Sequence, residues 1–227
     1  MHKYYIGLMS GTSIDSLDGC ICDFAEGTKL IAKSSRKWKE DESKLLHSLC
    51  QKSDDELEKA AMASNIIAKA SAAVVSDLLG KTSLNAEDII AIGSHGQTVR
   101  HRPNLGFSVQ LDNAPLTAAL CNIDTVSDFR SADIANGGEG APLTPLFHAQ
   151  IFKDEKRTRY VLNLGGIANL TVIKPGGEVL CGFDCGPANT LSDLCCRLFF
   201  NCDYDLDGKF AYQGQIRVEW LAHFLSH

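Results

Sequence analysis

One pattern occurs twice in this chain and constrains its fold more than any other feature. Tyr4-Tyr5-Ile6-Gly7-Leu8-Met9 is apolar and extended, Ser10-Gly11-Thr12-Ser13 is small and polar, and Gly19-Cys20-Ile21-Cys22-Asp23-Phe24 alternates with a period of two. About 155 residues later, residues 159–173 again read as strand, Gly165-Gly166 turn and strand. Two glycine-turned hairpins, each opening a run of strands and then helices, predict two similar α/β lobes. No low-complexity stretch or charge run marks a linker, so the boundary is expected near residues 138–143, giving lobes 1–140 and 141–227.

Composition narrows the class. With 44% hydrophobic and 22% charged residues the chain reads as globular, which excludes a fibre, a coiled coil or a disordered tail. The 28 acidic and 22 basic residues give a net charge of -6 without a basic block, which argues against nucleic acid and against a polybasic membrane contact as partners. No long uncharged apolar run occurs and the N-terminus lacks a hydrophobic signal core, so a soluble cytoplasmic protein is expected. The nine cysteines include no C-x-x-C pair and are expected to be buried free thiols rather than zinc or redox ligands.

Between the hairpins, Ser53-Asp54-Asp55-Glu56 reads as a capping box with Ser53 as N-cap. Its helix is expected to run to Leu79, with Gly80 as C-cap and Ile67, Ala70, Val74 and Leu78 on one packed face. Lys69 and Glu58 argue against a membrane span. A short strand over residues 89–92 is expected to end at Gly93-Ser94-His95-Gly96-Gln97-Thr98, with further strands over 107–111 and 123–126. The glycines and prolines of residues 128–145 predict a long binding loop carrying Arg130, Asp133 and Glu139. After the second hairpin, a strand over residues 179–183 is expected to end at Asp184. A helix follows over 190–200, with Asn189 as N-cap and Leu191, Leu194 and Leu198 on one face.

Several of these residues suit chemistry. The segment Gly11-Thr12-Ser13-Ile14-Asp15-Ser16-Leu17-Asp18 offers backbone N–H groups and hydroxyls to phosphate oxygens, and its two aspartates suit a hydrated divalent cation. An ordinary polar turn has the same composition, and the metal ligands stay undetermined. Asp184, at a strand end before Gly186-Pro187 and a helix, can serve as a general base or as a turn carboxylate. Gly165 and Gly166 suit a second phosphate cradle. His95 can bind substrate, exchange a proton or make a structural hydrogen bond. Asp203-Tyr204-Asp205-Leu206-Asp207-Gly208 imitates a calcium loop, but Gly214 stands where the bidentate glutamate belongs, so calcium binding is not expected.

The segment 7–18, together with Gly93-Ser94-His95-Gly96-Gln97-Thr98, Asp128-Phe129-Arg130 with Asp133-Ile134-Ala135, and Gly138-Glu139-Gly140-Ala141-Pro142-Leu143, resembles the anhydro-N-acetylmuramic acid kinases. So do Asn163-Leu164-Gly165-Gly166-Ile167-Ala168-Asn169-Leu170 and Gly182-Phe183-Asp184-Cys185-Gly186-Pro187-Ala188-Asn189, all in the family's order. The resemblance implies the actin-like ATPase (ribonuclease H-like) fold, with two lobes each opening on a phosphate hairpin and the second lobe incomplete. It also implies ATP and Mg²⁺ as cofactors and a reaction on 1,6-anhydro-N-acetylmuramic acid. A base would activate water to open the anhydro bridge, and the freed 6-oxygen would take the γ-phosphoryl group, a step in cell-wall sugar recycling. By resemblance Asp184 is the base, residues 11–18 with Gly165 and Gly166 hold the nucleotide phosphates, and His95, Gln97, Arg130 and Asp133 contact the sugar.

Departures from the family pattern fall within these motifs. Ser16 and Ala188 stand where glycine is usual, Glu139 replaces glutamine and Cys185 replaces threonine. If position 16 requires positive φ, its serine is strained. The 227 residues are also fewer than the family's usual length, and by resemblance the remaining length would hold the rest of the second lobe, with the adenosine-binding segment and a second acidic residue. A non-catalytic sugar-binding or interaction protein derived from such a kinase is therefore the competing reading. An incomplete lobe is expected to expose apolar surface that a partner, or a second copy in a homodimer, would cover.

Overall fold

Alternating apolar residues need one covered face, and in this chain a single long helix supplies the cover for the first hairpin. A computed structural model of the protein describes residues 2–226. The chain divides into two units, Met1–Phe147 and His148–His227. In the first, β1 (Tyr4–Ser10), β2 (Ser16–Asp23) and β3 (Lys29–Lys37) form an antiparallel meander. Strand β4 (Ile89–Arg102) lies parallel to β1, and β5 (Phe107–Leu111) pairs antiparallel with its far half. The short β6 (Thr125–Val126) lies parallel to its near half, completing a mixed sheet of order β3-β2-β1-β4-β5 with β6 beside β4.

Helices α1 (Glu40–Leu49) and α2 (Glu56–Gly80) make the crossover from β3 to β4. As the spacing predicts, Ile67, Ala70, Val74 and Leu78 of α2 are buried, joining Ile6 and Leu8 of β1 and Leu17 and Ile21 of β2 in one core. Gly19 lets the helix this close, because a Cβ there would lie 2.5 Å from Val74 Cγ1. By length and composition α2 could cross a membrane, but its apolar stripe is taken up by this core. Two short helices, α3 (Ala114–Cys121) and α4 (Phe129–Ala135), follow, and α5 (Thr144–Phe152) spans the division between the units.

The second unit repeats the meander with β7 (Arg159–Leu164), β8 (Ile167–Ile173) and β9 (Val179–Pro187). Helix α6 (Asn189–Cys195), a π-helical turn at Cys196–Phe200, α7 (Lys209–Gln213) and α8 (Val218–Leu225) complete it.

Several expectations need correction. Helix α2 starts at Glu56, with Asp55 in the left-handed region. Only half of the capping box forms, Glu56 Oε1 accepting the Ser53 N–H at 2.7 Å while the Ser53 hydroxyl finds no partner. Gly80 is the last helical residue rather than the cap, and Lys81 follows as C-cap. Residues 128–145 are not one loop, because α4 forms inside them. Asn189 lies within α6, its N–H and side chain bound to the Gly165 and Leu164 carbonyls, so it is not the N-cap. Leu191, Leu194 and Leu198 are 57%, 43% and 66% exposed, so that face meets no core. Among the nine free cysteines only Cys196 is buried, since most of the others fall on the open side of a strand or on exposed helix surface.

Candidate active site

The turn between β1 and β2 is the first element of the site. Strand β2 begins at Ser16, three residues before the alternating run suggests, because Ser10 pairs with Leu17 and Met9 with Asp18. Residues 11–15 therefore form the turn, while Ser16, Leu17 and Asp18 are strand. Ile14 N–H donates to the Gly11 carbonyl at 3.2 Å, and Ile14 itself is buried with φ +55. The left-handed residue is thus Ile14 and not Ser16, whose extended backbone carries no such strain. Thr12, Ser13, Asp15 and Asp18 are exposed around the turn. Asp18 Oδ1 accepts the Ser16 hydroxyl at 3.2 Å, which leaves carboxylate oxygens on both aspartates for a cation.

The Gly93–Thr98 motif is not a loop after a strand. It is the middle of β4, which changes partner there from β1 to β5, and the bend is made at Gly96. That residue has φ +68, and a Cβ would run into the Leu111 carbonyl, so glycine is required on both counts. The bend interrupts the strand's alternation, so that Ser94 and Gln97, three residues apart, are both buried, while His95 between them is half-buried.

His95 meets Arg130, from the first turn of α4. Arg130 Nε and Nη2 lie 3.1 and 2.9 Å from His95 Nε2, so Nε2 accepts and the ring proton sits on Nδ1, donating to the Gly96 carbonyl at 3.0 Å. Burial, with the Arg130 charge adding to it, pushes His95 below its ordinary 6.5, against the opposing pull of the Gly96 carbonyl. The imidazole is neutral and both its nitrogens are occupied. Arg130 Nη1 donates to the Gly140 carbonyl at 2.7 Å, and Asp133 Oδ2 accepts the Gly140 N–H at 2.7 Å, holding that loop in place. Each terminal nitrogen of Arg130 keeps an N–H without a protein partner among the described residues, an arrangement suited to a carboxylate. Gln97 is placed differently. It is fully buried, with its amide between the Ser10 hydroxyl and the Thr98 carbonyl.

In the second unit, Asp184 lies inside β9, which continues to Pro187 instead of ending before it. It faces Asn169 across the ladder, and the register shifts directly after it, since Gly186 pairs with Ala168. This bulge at Cys185 re-aims the strand where the exposed Asp184 carboxylate stands. The Gly165-Gly166 turn is fastened to the start of α6: the Gly166 carbonyl accepts from Ala188 N at 2.9 Å and from Thr190 Oγ1 at 2.7 Å.

Sequence reasoning missed Trp38, Ser10 and Asp112. Trp38 is buried just after β3, and its indole N–H reaches Ser10 Oγ at 3.3 Å. Burial pushes the Asp112 carboxyl up, opposed by the Ser94 hydroxyl and the Asn113 N–H. Ser10 stood inside a quoted motif, but the other two carry no local signal.

A mixed α/β protein with two glycine-turned hairpins, a histidine-fixed arginine and a bulge-borne carboxylate is the class that these features define. Within that class, the chain belongs to the anhydro-N-acetylmuramic acid kinase family, whose model matches residues 3–227. It is 45% identical over 227 residues to the anhydro-N-acetylmuramic acid kinase of Shewanella sp. (strain ANA-3), covering 99% of this chain and 62% of that protein. Its likeness to the enzyme of the same description from Bordetella pertussis (strain Tohama I) is 45% over 225 residues, covering 99% and 59%. The chain thus spans about 60% of the length of the curated relatives it matches. Among solved structures, the activator of the 2-hydroxyisocaproyl-CoA dehydratase from Clostridium difficile with bound ADPNP is 14% identical, with a TM-score of 0.47 over 94% of this chain and 58% of that one. A likeness at that level carries no functional argument.

Proposed function

We propose that the chain serves an ATP-dependent kinase reaction that opens 1,6-anhydro-N-acetylmuramic acid with water and yields N-acetylmuramic acid 6-phosphate, as in the cytoplasmic recycling of cell-wall sugar. Its two units are read as lobes of the actin-like ATPase fold. The observation that carries this reading is the family match from residue 3 to residue 227, with Asp184 exposed at a strand bulge inside it.

In this reading Asp184 takes a proton from water, whose oxygen bonds to the anomeric carbon as the bond from that carbon to O6 breaks. The freed O6 then takes the γ-phosphoryl group, and ADP leaves. Phosphoryl transfer asks mainly for positioning and charge neutralisation. The backbone N–H groups of the turn at residues 11–15, and the Gly165-Gly166 turn, would receive the nucleotide phosphates. Asp15 and Asp18 would hold Mg²⁺, which neutralises phosphate charge. Two exposed carboxylates fit an ion that keeps most of its own water, and among the described residues no cluster of three or more His, Cys, Asp or Glu forms a closed metal cage. Arg130, held by His95, would take the carboxylate of the sugar acid.

The test is a coupled ADP-release assay with anhydro-N-acetylmuramic acid, on this chain and on one extended to the relatives' length. Turnover in either supports the kinase reading. Sugar binding without turnover in both favours the non-catalytic reading. Asp184→Asn should abolish turnover while sugar binding stays measurable by calorimetry, and normal turnover by that variant would remove Asp184 from the role.

A further inference from the structure

The turn at residues 11–15 is held from beneath by a buried polar chain that no chemical step uses. Ser10, the last residue of β1, is 1% exposed. Its hydroxyl donates to Gln97 Oε1 at 2.5 Å and accepts from Trp38 Nε1 at 3.3 Å. The other end of the Gln97 amide is bonded too, its Nε2 donating to the Thr98 carbonyl at 3.1 Å. Trp38 holds the turn a second time, through its backbone N–H to the Asp15 carbonyl at 3.2 Å. Two distant stretches of chain, at Trp38 and Gln97, therefore converge on the one hydroxyl that precedes the turn. The turn also contains Ile14, buried at φ +55, a conformation that a β-branched residue keeps only where its surroundings over-determine it.

We propose that Trp38 and Gln97 are positioning residues which, through Ser10, hold the turn at residues 11–15 in the conformation that receives a polyphosphate. Neither would touch the ligand. The exposed N–H groups of the turn bind only if they are already aimed, and this buried chain supplies the aim, so the ordering cost is met in the free protein. The proposal rests on the nucleotide reading above for its ligand, but not for its geometry.

Trp38 and Trp220 are the chain's two tryptophans, so in a Trp220→Phe background a single indole N–H resonance reports the bond to Ser10. Trp38→Phe removes the donor and keeps the aromatic packing, while Gln97→Met removes the acceptor at similar volume. We expect each to speed hydrogen exchange at the amides of residues 14 and 38 about tenfold relative to the β1–β2 ladder, the effect of losing one buried hydrogen bond. Affinity for magnesium tripolyphosphate, measured by calorimetry, should fall by a similar factor, and Ser10→Thr should keep both properties better than Ser10→Ala. Because both variants act through Ser10, the double variant should be less affected than the two effects combined. Unchanged exchange at residues 14 and 38, or a uniform rise across the first unit, would overturn the proposal. If the unaltered chain binds neither tripolyphosphate nor ATP, the nucleotide reading fails, and the exchange data still decide whether Trp38 and Gln97 hold the turn.

Discussion

Adding one methyl group at Gly19 should disrupt the packing between the first hairpin and α2. A Cβ at this position would lie 2.5 Å from Val74 Cγ1, 3.0 Å from Leu8 Cδ2 and 3.2 Å from Leu78 Cδ1. All three neighbours are buried, at 2%, 3% and 0% exposure, so none can swing into solvent. Val74 is β-branched and helical, which leaves it essentially one χ1 rotamer. Relief must come from moving α2 off the sheet, and overpacking of this kind costs about 1–3 kcal/mol net. The methyl group's own burial, about 0.8 kcal/mol, does not offset a contact this short. Gly93→Ala, on β4 two strands away in the same sheet, is the matched control. Its Cβ would meet Phe129 Cζ at 3.5 Å and the Ile6 carbonyl at 3.8 Å, which are ordinary contacts, and the expected change is below about 0.5 kcal/mol. The assay is urea unfolding followed by far-UV circular dichroism, comparing midpoints at unchanged slope. Val74→Ala combined with Gly19→Ala should lose less than the sum of the two single effects, by about 1 kcal/mol. Equal midpoints for Gly19→Ala and Gly93→Ala, or strict additivity in the double variant, would refute the reasoning.

Other outcomes follow from the same structure. Gly80→Ala should stabilise α2 by about 0.5–1 kcal/mol, since the residue is helical with nothing within 4 Å of its Cβ; a loss in the same urea experiment would restore Gly80 as a left-handed cap. Ser16→Gly should lower stability by about 0.5–1 kcal/mol and leave the affinity for Mg·ATP unimproved, because the left-handed residue is Ile14; a clear gain in affinity would contradict this. For His95 the folded pKa lies below 6.5, so on acidification the unfolded state takes up its proton first. This contribution to stability is complete above about pH 6.5, declines as the pH falls through that value, and levels off below the folded pKa. His95→Gln should flatten that part of the stability–pH curve. Parallel curves for the two proteins between about pH 7.5 and 5 would rule the contribution out.

Legibility in the sequence followed the physics of each element. Both hairpins and the buried stripe of α2 were readable, because apolar side chains recurring at one spacing leave a mark that does not depend on distant partners. Strand β4 was readable only to Ile92. Beyond it come a glycine bend and the buried polar residues Ser94 and Gln97, which resemble loop until their partners are known. Helix α4 was hidden among glycines and prolines for the same local reason, and β9 was cut short at Asp184 because Gly186 and Pro187 read as its end. The family motifs named His95, Arg130, Asp133 and Asp184 but not their surroundings.

The sequence by itself determined the repeated hairpin, the helix that covers the first of them, and the family to which the chain belongs. Tertiary structure decided which polar groups meet: Ser10 with Gln97 across 87 residues of chain, and His95 with Arg130 across 35. It also placed the left-handed residue at Ile14 and the bulge beside Asp184. Apolar burial is nearly non-directional and repeats with the backbone, so it is written along the chain. A buried hydrogen bond needs one donor aimed at one acceptor, and that pairing exists only once separate strands and helices have been brought together.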